Sequence, residues 1–131
     1  MSDNSVVALS EESRPTKALN ATLWILQALA AAAFLMAGGT KLAGAETHVA
    51  MFEKIGLGQW LRYFTGSLEV INAVLLVLPK TAGIGAALLA ATMVGAVATH
   101  LFIIGGSPAP ALALLLITAA VAWYRRPDSL R

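Results

Sequence analysis

Four long apolar stretches separated by short polar breaks dominate the pattern of this chain. From Ala18 to Thr40 there are 23 residues without a charge. At about 1.5 Å of helical rise per residue they are long enough for a hydrocarbon core of about 30 Å. The pattern predicts spans over about 18–42, 63–78, 82–104 and 109–124. The stretch AGAETHVAMFEKIGLGQWL (43–61) reads differently. Val49, Phe52 and Ile55 share a helical face while Glu46, Glu53 and Lys54 lie off it, which predicts a short amphipathic helix at the membrane interface. Gly56 and Gly58 end it. Pro79-Lys80 and the GGSPAP turn from Gly105 are short connections, which make their flanking helices antiparallel neighbours. The expected fold class is therefore all-α: a membrane-embedded antiparallel four-helix bundle with a short interfacial helix between spans 1 and 2.

The ends of the chain complete this division. Residues 1–17, MSDNSVVALSEESRPTK, are polar and aperiodic and are expected to form a disordered tail. Residues 18–126 form the membrane domain and 127–131 a C-terminal tail. The first apolar run exceeds the roughly 7–15 residues of a signal-peptide core, so it reads as a span.

Composition narrows the function classes. Apolar residues make up 58% of the chain and charged residues only 12%, against about 25% charged in a soluble domain. Cysteine is absent, which excludes disulfides, thiol redox chemistry, iron–sulfur clusters and thiolate metal sites. The net charge of +2 does not indicate nucleic acid, because the basic residues flank apolar runs instead of forming a stripe. In the four-span arrangement Arg14, Lys17, Lys80, Arg125, Arg126 and Arg131 fall on one side and Lys41, Lys54 and Arg62 on the other. The positive-inside rule then places both termini in the cytoplasm. Trp24, Trp123 and Tyr124 form one aromatic belt, with Trp60 and Tyr63 opposite.

Candidate chemistry centres on Glu69, a carboxylate within an apolar span. Such a group costs roughly 2.5–3.5 kcal/mol on insertion scales and normally faces protein or water. Glu69 lies seven positions past Arg62, about 10 Å below the outer end of its helix, and His100 lies about 7 Å below the same end. Lys41 closes the first span on that side. Counting depth thus puts Lys41, Glu69 and His100 in one half of the bilayer, with Asn72 and Thr65 on the helical face of Glu69. The group suits ligand binding or a proton relay, such as holding a quinone carbonyl. The same residues equally suit a structural clasp that sets helix register. His48 reads as an interfacial loop residue. Gly83, Ala87, Ala91, Gly95 and Thr99, at four-residue spacing, suggest a helix-packing stripe, with plain Ala/Gly abundance as the alternative. No metal site, P-loop or nucleophile–base pair is readable, so no catalytic residue is assigned.

The segments GGTKLAG (38–44), FTGSLEVINAVLLVLPKTAGIGA (64–86) and THLFIIGGSPAPAL (99–112) resemble the DoxX-like family of small bacterial four-helix membrane proteins. The resemblance runs from the first span to the C-terminus. Lys41, Glu69 and His100 fall where that family has polar positions. The wider group includes a subunit of an archaeal thiosulfate:quinone oxidoreductase and members of oxidative-stress membrane complexes. The resemblance thus implies an accessory subunit of a quinone-linked redox or stress system, with quinone as the cofactor to test. The expected partners are the lipid bilayer and redox proteins, with self-association into a homo-oligomer also open, and no nucleic acid. A small proton-coupled transporter of an amphiphilic substrate and a purely structural membrane partner are the alternatives.

Overall fold

The computed structural model describes residues 16–127; residues 1–15 of the expected N-terminal tail and most of the C-terminal tail lie outside them, while Thr16 and Lys17, expected in the tail, cap and open the first helix. Within this range the protein is all-α, with five helices in chain order: α1 (Lys17–Ala43), α2 (Glu46–Ile55), α3 (Trp60–Leu76), α4 (Ala82–Thr99) and α5 (Ala109–Tyr124). Over His100–Ile104 the end of α4 widens into a π turn. Helix α1, and α4 together with its π turn, are each long and apolar enough to cross a membrane.

Local chemistry explains the boundaries. Thr16 caps α1 by accepting a hydrogen bond from the Leu19 amide, which satisfies one of the donors left over at a helix start. Gly44 ends α1 in the left-handed region, φ 76°, a conformation that glycine adopts without a Cβ clash. The amphipathic α2 is present where it was expected, with Phe52 as its buried anchor.

One face of α1 is buried: Leu23, Gln27, Ala30, Ala31, Phe34 and Gly38. The matching face of α3 comprises Arg62, Gly66, Glu69, Asn72, Ala73 and Leu76. Both sets follow the helical period. These faces pack together, α3 also packs on α4 and α4 on α5, while α1 makes a smaller contact with α5. The core between them includes Phe34, Leu76, Ala86, Leu89 and Val121. Large apolar residues also cover the outside, with Phe102 82% exposed and Met36 73%.

Close approach of α1 and α3 depends on two glycines. A methyl group on Gly38 would sit 2.7 Å from the Gly66 carbonyl oxygen, and one on Gly66 would sit 3.0 Å from the Gly38 oxygen. A second close contact joins α4 to α3, where a methyl on Gly85 would meet the Asn72 oxygen at 2.9 Å.

The stripe expected along α4 requires correction. Only Gly83 makes a close approach, against the Arg125 backbone. Ala87, Ala91 and Gly95 are exposed, and the Thr99 hydroxyl donates to the Gly95 carbonyl of its own helix. The packing face is instead Ala82, Gly85, Ala86, Leu89 and Met93. Steps of four residues advance about 400° around a helix of 3.6 residues per turn. Each step therefore drifts by about 40°, and a strict four-residue stripe winds off any single face.

Candidate functional site

Two polar clusters interrupt the apolar packing, at opposite ends of α1. The first contains Lys41 and Glu69. The Lys41 Nζ lies 2.8 Å from Glu69 Oε1, with the lysine side chain 13% exposed and the glutamate 2%. The two charges form an ion pair, but the approach lacks hydrogen-bond alignment, so buried Oε1 has no aligned donor.

Arg62, absent from the sequence-derived candidates, joins this cluster. Its side chain is buried and its guanidinium donates to the Lys41 carbonyl and, at 2.7 Å, to Gln59 Oε1. A cation at the C-terminal end of α1 is electrostatically favoured there. Gln59 in turn donates to the Val49 carbonyl of α2 at 3.0 Å, so one chain of hydrogen bonds fixes α2 against the ends of α1 and α3.

His48 corrects the loop reading: it lies within α2, half-buried, with Nε2 3.0 Å from the Thr40 hydroxyl. A Thr40 hydroxyl that donates to the Met36 carbonyl, 2.8 Å away, accepts from His48 Nε2–H, and in that tautomer the lone pair of the imidazole is on Nδ1. That Nδ1 is buried without a partner. Burial first, then the charges of Lys41 and Arg62, hold His48 below its ordinary value of 6.5, so the ring is neutral near pH 7.

His100 stands apart from the pair it was expected to join. Its Nδ1 donates to the Gly105 carbonyl at 2.8 Å, closing the turn after the π segment, and it bonds to neither Lys41 nor Glu69. The Lys54 ammonium donates to the Ile104 carbonyl at 2.8 Å, which ties α2 to the same turn. Asn72 is buried on the face of Glu69, one helical turn deeper.

The second cluster has Arg125 at its centre. Arg125 donates to Gln27 Oε1 at 2.9 Å and to Asn20 Oδ1 at 2.6 Å, and its guanidinium lies over the Trp24 ring. Gln27 is fully buried and donates to the Leu76 carbonyl at 2.8 Å, one of the acceptors left over at the end of α3. These contacts link α1, α3 and α5. Gln27 was absent from the sequence-derived candidates, although an amide in an apolar run is a signal in itself, since a buried amide needs partners.

Residues 25–124 match the model of the DoxX-like family. The chain belongs to the DoxX-like family. The matched range contains Lys41, His48, Arg62, Glu69 and His100 and stops one residue before Arg125. The resemblance read from the sequence motifs is thus confirmed at the level of a DoxX-like, membrane-associated family. No curated protein and no solved structure matches the chain.

Proposed function

We propose that this DoxX-like chain is a multi-pass protein of the bacterial inner membrane that serves as a non-catalytic subunit of a quinone-linked redox or oxidative-stress system. In this reading α1, α3, α4 and α5 form an antiparallel four-helix bundle with both termini in the cytoplasm. Three contacts support opposite directions for α1 and α3: Lys41 with Arg62, Gly38 with Gly66 and Gln27 with Leu76. The large apolar residues on the outside agree with lipid as the surrounding solvent, and the close glycine contacts agree with helix packing in lipid. Side chains lean toward the N-terminus of their own helix. Lys41 and Glu69 therefore lean toward each other across the Gly38–Gly66 contact.

The observation that carries the ligand-binding reading is the pair of buried acceptors around Lys41. Glu69 Oε1 and His48 Nδ1 both lack an aligned donor, and buried polar groups normally have one. A quinol presents two hydroxyl donors on an apolar ring and a quinone presents carbonyl acceptors. Glu69 and His48 suit the reduced form, while Lys41 and Arg62 provide the cationic donors that suit the oxidised one. A bound quinone would supply two-electron, two-proton carrier chemistry, and this chain would hold its polar head. The test is quinone-dependent thermal stabilisation of the purified protein in nanodiscs, lost in Glu69→Gln and His48→Ala. The idea fails if no quinone or quinol shifts the melting temperature and Glu69→Gln leaves membrane redox activity unchanged.

The 2.8 Å contact between Lys41 and Glu69 favours a second reading, a clasp that only sets helix register. Strong stability coupling between the two residues with no biochemical phenotype would select it. Proton flux in proteoliposomes that depends on Glu69 would select a transporter instead.

A further inference from the structure

Where the α3–α4 connection meets the end of α5, Pro79, Lys80, Gly83, Ile84, Arg125, Arg126 and Pro127 line an open cleft of about 270 Å³. Three of these seven residues are cationic. Lys80 is exposed and forms no ion pair among the described residues. Arg126 lies over the Trp123 ring at 4.0 Å, and Trp123 is itself 64% exposed, an arrangement suited to the headgroup level of a bilayer. Arg125 directs its guanidinium to Gln27 and Asn20, so it contributes positive potential to the cleft while its hydrogen bonds serve the core.

The cleft also borders the first turn of α4. Thr81 precedes that turn, yet its hydroxyl donates to the Leu75 carbonyl at 2.9 Å and does not cap the helix. The first amides of α4 therefore lack a side-chain acceptor and add their partial positive charge at the Gly83–Ile84 wall.

We propose that this cleft holds the phosphodiester headgroup of an anionic phospholipid, with Lys80 and Arg126 as its charged contacts. A phosphodiester supplies acceptor oxygens and a negative charge for these groups, while its acyl chains meet exposed apolar residues beside the cleft such as Ile84, 51% exposed. Basic pockets between helices on the cytoplasmic side bind acidic headgroups for the same electrostatic reason. The proposal rests on the membrane reading above, and it is independent of quinone binding.

The full chain is reconstituted in nanodiscs of phosphatidylcholine alone or mixed with phosphatidylglycerol, and lipid retention by native mass spectrometry and melting temperature are measured. The expected result is preferential retention of phosphatidylglycerol and a higher melting temperature in the mixed discs. Lys80→Gln should weaken retention about fivefold, and adding Arg126→Gln should weaken it about fivefold again. Lys80 is exposed, so its variant alone suffices if the double variant folds poorly. Equal retention of both lipids, or unchanged phosphatidylglycerol retention in Lys80→Gln, would overturn the proposal. So would a full stabilisation by inorganic phosphate in phosphatidylcholine discs, which would assign the cleft to a soluble anion. A chain that inserts but does not discriminate between lipids defeats the site alone, whereas a chain that fails to insert defeats the membrane reading.

Discussion

The Arg125 cluster and the Lys41 cluster are both polar groups embedded between apolar helices, yet their hydrogen bonding differs. At Arg125 both ends of the Gln27 amide are used, and Asn20 accepts from the same guanidinium. Around Lys41 two buried acceptors, Glu69 Oε1 and His48 Nδ1, have no aligned donor. A satisfied network holds helices together, because removing one member leaves the others buried and unpaired. An incompletely satisfied one calls for an explanation, and a ligand that brings donors is the explanation proposed for it.

This contrast can be broken by mutation. The largest effect is expected from Arg125→Ala, which strands Gln27 Oε1 and Asn20 Oδ1 and should cost about 3 kcal/mol in reversible unfolding from detergent micelles. A loss under about 1 kcal/mol would show that the Arg125 cluster is not the lock described here. Next comes Gly38→Ala at the contact between the clusters. The added methyl meets the Gly66 backbone, and such overpacking costs about 2 kcal/mol; an unchanged midpoint would mean that α1 and α3 separate freely.

Glu69→Gln should cost less, about 1 kcal/mol, since Lys41 is partly exposed and can extend toward the interface once its partner is neutral. Its larger consequence should be loss of quinone-dependent stabilisation. A variant that loses stability but keeps full ligand response would transfer the Lys41 cluster to the structural class of its counterpart.

The smallest effect concerns pH. His48 is held below 6.5 in the folded protein, so the unfolded chain binds its proton first as pH falls. The stability that this provides is complete above about 6.5 and is lost as pH drops toward the lower folded value. His48→Gln should flatten that slope in unfolding measured across the same range. An equally steep slope in the variant would place the titrating group elsewhere.

Much of the local architecture was readable before any tertiary contact was known. The amphipathic α2 follows from the spacing of Val49, Phe52 and Ile55, and its end from Gly56. Motif resemblance led to the DoxX-like family. Lys41 and Glu69 were reached by counting depth, because helical rise converts sequence distance into height. Depth alone says nothing about azimuth, and that is why His100, at a matching height, was grouped with a pair it does not touch. The Gly83–Thr99 stripe misled for a related reason, since four-residue spacing rotates around the helix.

What the sequence determined by itself was the all-α class, the approximate position of each helix and the presence of a carboxylate on an otherwise apolar helix. These depend on interactions within a few residues, where composition and period suffice. Only the tertiary structure decided that Glu69 meets Lys41, that Arg62 and His48 join them, and that Arg125 spans from α5 to Gln27. Those pairings require helix faces far apart in the chain to approach within hydrogen-bonding reach, as the Gly38–Gly66 contact allows, and no local spacing encodes that approach.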